Sequence, residues 1–390
     1  MMDPVYLDHA ATTPVRPEVI EAMLPFLRES WGNPSSSHRI GRGARAGLEQ
    51  AKREVAEAVG VQPNQVIFTS GGTEADNLAI IGAALAAKAA GRPMHVVTTA
   101  IEHKASLAAA HAVCRLGGRE TILPVDARGL VDLDALDAVL AEGPAVVSVM
   151  WVNNETGVVQ PMAEIGARCR AAGVPLHTDA VQAFGKIPVD LEAVHASLCS
   201  LSGHKLGAPK GIGALIVRDR TLVESILHGG GQQFGIRPGT ENVAGAVAMG
   251  CAAKLARAEL DAHVEHLAML RDDLARRLQA AIPDLHINAA DSPRAPHVLS
   301  ISVPGTDAES LLMHLDLAGI CCSGGSACST GAIEPSHVLV AMGVERPLAL
   351  ATLRFSLGHE STAADVERVA TAFPDIVTRV RGLSAALGRA

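Results

Sequence analysis

Val66-Ile67-Phe68-Thr69-Ser70-Gly71-Gly72-Thr73-Glu74-Ala75-Asp76-Asn77 decides the fold class: a short apolar strand runs into two glycines and then a helix expected over Thr73 to Ala90. The same alternation recurs on both sides of it. Further strands are expected at His95 to Thr98, Thr121 to Pro124, Ala145 to Trp151, Val174 to Thr178, Ala196 to Leu201 and Gly213 to Val217. Helices are expected at Lys104 to Leu116, Leu133 to Leu140 and Met162 to Ala172. Alternating units of this kind imply an α/β fold with a mostly parallel sheet covered on both faces. From about Thr240 an Ala-rich helical stretch runs to about Ile282. Beyond it, strand-like His297 to Val303 and Leu353 to Leu357, with helices near Asp307 to Ala318 and Ala363 to Arg381, read as a smaller α+β domain. The expected division is a large domain over 16–258 and a small one built from 1–15 and 259–390.

Composition bounds the function. The chain has 390 residues, 48% of them hydrophobic but only 2% aromatic, so its core must be aliphatic, and a disordered or fibrous chain is ruled out. With Lys plus Arg at 33 against Asp plus Glu at 41 and no basic cluster, nucleic acid is not an expected partner. No apolar run approaches the ~18 residues of a bilayer-spanning helix, and Met1-Met2-Asp3-Pro4 opens no secretory signal. Seven scattered cysteines do not form a disulfide framework, which points to a reducing cytoplasm.

Several segments carry chemistry, each with a plainer alternative. At Gly71-Gly72-Thr73 the first N–H groups of a helix can converge on an anion such as a phosphate; the alternative is a Thr-capped loop. In His177-Thr178-Asp179-Ala180-Val181-Gln182, Asp179 ends a strand, where ligands of open α/β sheets bind; it could equally cap a helix. In Ser202-Gly203-His204-Lys205, Lys205 follows an apolar strand. An unperturbed lysine is only ~0.04% neutral at pH 7, so a nucleophilic role requires burial, and a surface loop lysine is the alternative. Ser202 to Lys205 also fits the S-x-x-K pattern of acyl enzymes, but the S-D-N and K-T-G companions are absent. Gly41-Arg42-Gly43-Ala44-Arg45-Ala46 fits a loose dinucleotide fingerprint, yet a Pro/Ser-rich loop rather than a strand precedes it.

Toward the C-terminus, Cys328 lies among Gly and Ser, whereas Cys321 and Cys322 close an apolar segment and read as packed. A thiol is only ~3% thiolate at pH 7, so Cys328 needs a loop that carries it to a basic site. A metal site joining these thiols to His314 or His337 is the alternative, without C-x-x-C spacing to support it. In Leu353-Arg354-Phe355-Ser356-Leu357 the period of two sets Arg354 opposite the apolar face, able to grip a carboxylate or simply to face solvent.

Together these segments resemble the cysteine desulfurases, pyridoxal-phosphate enzymes of the class V aminotransferase branch, and most of all the nitrogen-fixation and housekeeping iron-sulfur types. The likeness also rests on Tyr6-Leu7-Asp8-His9-Ala10-Ala11-Thr12-Thr13-Pro14, Gly32-Asn33-Pro34-Ser35-Ser36, Glu102-His103-Lys104, Val152-Asn153-Asn154-Glu155 and Arg237-Pro238-Gly239-Thr240-Glu241-Asn242. It implies the aspartate-aminotransferase-like architecture known as pyridoxal-phosphate fold type I. It further implies that Lys205 forms the Schiff base with pyridoxal 5'-phosphate and shuttles protons, while Asp179 pairs with the pyridine nitrogen. Gly72, Thr73, Ser202 and His204 would bind the phosphate, with Thr240 reaching in from the other subunit of a homodimer. His103 would stack on the ring and assist proton transfer, and Gln182 and Asn154 would contact the ring oxygen or the substrate. Arg354, with Asn33, would hold the carboxylate of L-cysteine. Cys328 would take the sulfur as a persulfide, releasing L-alanine, for an iron-sulfur scaffold or another acceptor. No resident metal, nucleic acid or membrane is implied, and the expected location is cytoplasmic. Selenocysteine lyase or aminotransferase-like chemistry on the same fold, and a non-catalytic thiol or metal-binding protein, are the other readings the residues allow.

Overall fold

The structure, a computed structural model, describes residues 4–324 and 334–386. A seven-stranded sheet runs, from edge to edge, Val66–Thr69, Gly213–Val217, Leu198–Ser202, Leu176–Asp179, Val146–Ser148, His95–Thr99 and Arg119–Leu123. The five strands from Leu198–Ser202 to Arg119–Leu123 are parallel, and Gly213–Val217 runs antiparallel to both of its neighbours. Because helices cover both faces, these strands read as continuous apolar runs rather than as alternations. The pleat sorts them: Phe68, Val97, Val147 and Ile216 pack into one apolar cluster, and their neighbours Ile67, Val96, Val146 and Leu215 into another. Leu78, Ile80 and Ala83 of the helix Gly72–Ala89 cover the second face. Leu48, Val55, Ile165 and Met249 of the helices Arg39–Val59, Met162–Ala171 and Val243–Ala281 cover the first. Each buried Leu, Ile or Val contributes about 1.5–3 kcal/mol relative to exposure.

A second sheet, ordered Ser323–Gly324, Thr352–Ser356, Val298–Ser302, His286–Ile287, is antiparallel throughout. Its core joins Val5 and Leu7 from the N-terminal segment to Leu267, Leu274 and Leu278 of the long helix and to Phe355 and Phe373. Those two rings meet edge to face at 6.0 Å. Val5–Tyr6 pairs in parallel with Ile320–Cys321, so the start of the chain is stitched to a region more than three hundred residues away.

The structure departs from the sequence expectations mainly before residue 66. Helices Pro17–Arg28 and Arg39–Val59 were not expected. The second of them contains Gly41 to Ala46, so the dinucleotide-like stretch is helix and not a phosphate loop. Its glycines serve close packing: a Cβ on Gly47 would fall 2.2 Å from the Phe26 ring, and one on Gly41 would fall 2.5 Å from the Ser36 carbonyl. The strand expected at 145–151 is only Val146–Ser148. Residue 258, the expected domain edge, lies within the unbroken helix Val243–Ala281.

Candidate active site

The ends of adjacent strands create the site. Asp179 closes one strand, Ser202 closes its neighbour, and the short 3-10 turn Gly203–Lys205 delivers Lys205 to the same edge. Two turns meet there only because they lack side chains. A Cβ on Gly213 would lie 2.6 Å from Gly71 Cα, and one on Gly72 would lie 2.9 Å from Val181 Cγ2. A cavity of about 370 Å³ opens among Gly72, Thr73, His103, Asn154, Asp179, Gln182, Ser202, His204, Lys205 and Arg354, with Ala10, Ala11, Asp76, Met150 and Val181 completing its wall. Such a volume is typical of a small-molecule site at the carboxyl ends of strands.

Lys205 Nζ donates to the carbonyls of Ala10 and Ala11, each at 2.5 Å. Burial, and then the nearby Arg354 charge, lower its pKa to about 8, against the opposing pull of Asp8 and Asp179. About a tenth of such an amine is neutral at pH 7, far more than an unperturbed lysine supplies. Asp179 is buried, accepts a hydrogen bond from Val181 N at 2.8 Å, and is pushed upward by burial while Val181, His103 and Lys205 hold it down. His103 caps the helix Lys104–Arg115, its Nδ1 accepting from Ala105 N at 3.1 Å; burial drives its pKa down, so the ring is neutral. His204 is likewise driven to about 4 by burial, and its Nδ1 lies 3.1 Å from Thr12 Oγ1.

Beneath Asp179 the interior is polar and unsaturated. His177, wholly buried and pushed by desolvation to about 3, spans Ser148 Oγ (2.8 Å) and Ser200 Oγ (2.9 Å). Asp76 Oδ1 sits 3.8 Å from His177 Nε2 and has no hydrogen-bond partner among the described residues. Burial, then the Asp179 charge, raise the Asp76 pKa well above its ordinary value. Glu102 accepts from Thr99 Oγ1 at 2.7 Å and Met150 N at 2.9 Å, leaves Oε2 unpartnered, and is raised by burial to about 8. Carboxyls crowded this way call for a cationic partner or for protons.

At the opposite rim, Arg354 is buried rather than solvent-facing, at 7% exposure. Its Nη2 pairs with Asp8 Oδ1 at 2.8 Å, its Nη1 donates to the Asn154 carbonyl at 2.8 Å, and its Nε has no partner among the described residues. Ser336 Oγ donates to the half-buried Glu155 close by, and His337 Nε2 lies 2.9 Å from the Glu102 carbonyl.

Ten residues singled out from the sequence thus line one cavity: Gly72, Thr73, His103, Asn154, Asp179, Gln182, Ser202, His204, Lys205 and Arg354. Asn33 is exposed, its Oδ1 occupied by Ser35 N, and does not line the cavity; Thr240 is exposed and does not line it either. Cys328, and with it the alternative metal site, lies outside the described residues. Cys321 and Cys322 are half-buried rather than fully packed, and burial raises both thiols. Asp8, Asp76 and Glu102 sit in motifs quoted above, yet only the fold reveals that Asp8 pairs with Arg354 and that Asp76 and Glu102 are buried near Asp179. The one sequence signal available was a carboxyl placed among small or apolar neighbours, which is costly to bury without a role.

The family model described as aminotransferase class-V matches residues 5–369. The chain is 43% identical over 380 residues to the cysteine desulfurase IscS of Dictyoglomus turgidum, covering 97% of this chain and 96% of that one. A solved NifS-like protein superposes with a TM-score of 0.88 at 34% identity, over 98% of this chain and 99% of its own. A structure described as SspA in complex with cysteine superposes with a TM-score of 0.80 at 32% identity, over 90% and 98% of the two chains.

Proposed function

The chain belongs to the aminotransferase class-V family and, within it, to the cysteine desulfurases, and from that premise we propose that this cavity converts L-cysteine to L-alanine while Cys328 takes the sulfur. The observation that carries the reading is the convergence of a desolvated Lys205, a buried Asp179 and Arg354 on one cavity. Enzymes of this family depend on pyridoxal phosphate, and the donor set suits that group. The first-turn N–H groups at Gly72 and Thr73, with Ser202 and the neutral His204, offer donors to a phosphate. The unpartnered Asp76 oxygen and the raised Asp179 offer a carboxyl pair to a protonated ring nitrogen. When bound, pyridoxal phosphate supplies an aldehyde for amines and a ring that stores electrons.

The chain's own residues supply the rest. Lys205 holds the cofactor covalently and, as a free amine, moves protons at the substrate Cα; its lowered pKa makes that affordable near neutrality. Asp179 would hold the ring nitrogen, and His103, kept neutral by burial, would offer the ring a face to stack on. Arg354 orients the substrate carboxylate, exchanging its contact with Asp8 for it. The Cys328 thiolate attacks the substrate sulfur: an S–S bond forms, the C–S bond breaks, and a proton on the carbon completes alanine, so one cysteine and one thiol give one alanine and one persulfide. The homodimer with Thr240 reaching the partner's phosphate, Asn33 at the substrate, transfer to an iron-sulfur scaffold or another acceptor, and a cytoplasmic location complete the proposal. Among the described residues no helix is long and apolar enough to cross a membrane. The test is alanine and sulfide formation from cysteine by the wild type and by Lys205→Ala: alanine from the first alone supports the reading, and equal rates overturn it.

A further inference from the structure

Gln182 lines the cavity, and its two amide ends are held by different neighbours. Its Nε2 donates to the Ala10 carbonyl at 2.9 Å, the same carbonyl that receives Lys205 Nζ. Its Oε1 lies 3.2 Å from Nε2 of His297, a residue at 0% exposure that is not part of the cavity wall. His297 precedes the strand Val298–Ser302, and its own carbonyl accepts from Leu357 N at 2.8 Å, so the backbone that carries the imidazole is fixed.

Donor and acceptor accounting removes the ambiguity that usually attends an amide and an imidazole. A backbone carbonyl can only accept, so the Gln182 atom facing Ala10 must be the nitrogen. The atom facing His297 is then the amide oxygen, which also can only accept, so His297 Nε2 must carry a hydrogen. Burial, together with the charges of Lys186, His263, Arg354 and His9, keeps the imidazole neutral. A neutral ring has one N–H, which leaves Nδ1 without one; Nδ1 has no partner among the described residues. One proton of the Gln182 amide is committed to Ala10, and the second remains for the cavity.

We propose that His297 is a positioning residue: its Nε2–H anchors the Gln182 oxygen so that the amide presents an N–H, never its carbonyl, to the ring oxygen of the cofactor. The inference rests on the functional reading above. An N–H offered to an ionised ring hydroxyl stabilises its negative charge and makes the chromophore at Lys205 harder to protonate. Removing the anchor leaves Oε1 unpaired and the amide held by the Ala10 carbonyl alone, so its second N–H is less firmly aimed at the ring oxygen.

The test is the pH titration of the visible absorbance of the pyridoxal-phosphate-loaded enzyme, with no turnover involved. His297→Phe, which keeps an aromatic ring, though a larger one, and has no N–H, is expected to raise the midpoint by about one pH unit, the equivalent of one hydrogen bond. His297→Gln, whose amide reaches where Nε2 was, is expected to restore at least half of that shift. Gln182→Leu is expected to raise the midpoint as well, and His297→Phe in the Gln182→Leu background to add nothing. His297→Met carries the same expectation as His297→Phe if the latter does not accumulate as folded protein. An unmoved midpoint in the His297 variants while Gln182→Leu moves it, or a full shift from His297→Phe when Gln182 is already Leu, overturns this inference alone. A wild-type protein that takes up no pyridoxal phosphate overturns it together with the functional reading.

Discussion

The two ends of the cavity reach their electrostatic state by opposite means. At the Asp179 end, Asp76, Glu102 and Asp179 are nearly or wholly buried, and desolvation is the leading cause of each upward shift. At the Arg354 end, the charge is neutralised by a partner, Asp8, whose side chain keeps 19% exposure. The first end comes from neighbouring strand termini and a helix start, and the second joins residues 346 positions apart. Burial therefore holds one end in want of a cation, whereas the other already has its counterion and, on the proposed function, would trade it for the substrate carboxylate. A fixed cofactor suits the former and a ligand that comes and goes suits the latter.

Substitutions separate the two, and the largest effect is expected between them. Lys205→Ala should lower alanine formation from cysteine by about 10³-fold or more, measured as product per enzyme, because the amine proposed to hold the cofactor and move the proton is gone. At the buried end, Asp179→Asn should weaken cofactor retention by about 10²- to 10⁴-fold, followed as loss of visible absorbance on dialysis, since breaking a buried charge pair costs about 3–5 kcal/mol. At the paired end, Arg354→Lys should raise KM for cysteine by about tenfold and change kcat less, because an ammonium cannot reproduce the guanidinium fork. A larger loss of cofactor from Arg354→Lys than from Asp179→Asn would reverse the comparison.

The smallest expected effect is on stability. Glu102 has a folded pKa of about 8, above its ordinary 4.5. Its contribution is therefore complete below about pH 4.5 and is lost as pH rises through 8. Glu102→Gln should flatten the alkaline fall of Tm by a few degrees. His177 acts with the opposite sign: held at about 3 from an ordinary 6.5, its contribution is complete above 6.5 and is lost as pH falls toward 3. Thermal melts across pH in wild type and Glu102→Gln check both limbs.

The sequence disclosed most of what burial enforces locally. The seven strands of the large sheet were readable because two covered faces make each one an apolar run, and the strand Gly213–Val217 matches its expected bounds. The helices at 17–28 and 39–59 were not readable, because Pro25 and the glycines at 41, 43 and 47 look like breakers until Phe26 and the Asn33 to Ser36 loop are packed against them. Two-residue strands such as Val5–Tyr6 and Ile320–Cys321 exist only through pairing with each other. In the site, Asp179 and Lys205 stood out at strand ends. Asp8, Asp76 and His297 did not, since a role as counterion, buried acid or amide anchor depends on neighbours that only the tertiary fold supplies.

The central claim is that the cavity around Lys205 and Asp179 removes sulfur from cysteine and that Cys328 receives it. Its most direct test is the mass of the intact protein after a single turnover with cysteine, read together with the alanine formed, for wild type and Cys328→Ser. The account expects one alanine for each sulfur gained, the added sulfur on the peptide that contains Cys328, and neither product at the parental rate in Cys328→Ser. Alanine and sulfide released by Cys328→Ser as fast as by the wild type, or a wild type that forms no alanine, would contradict it.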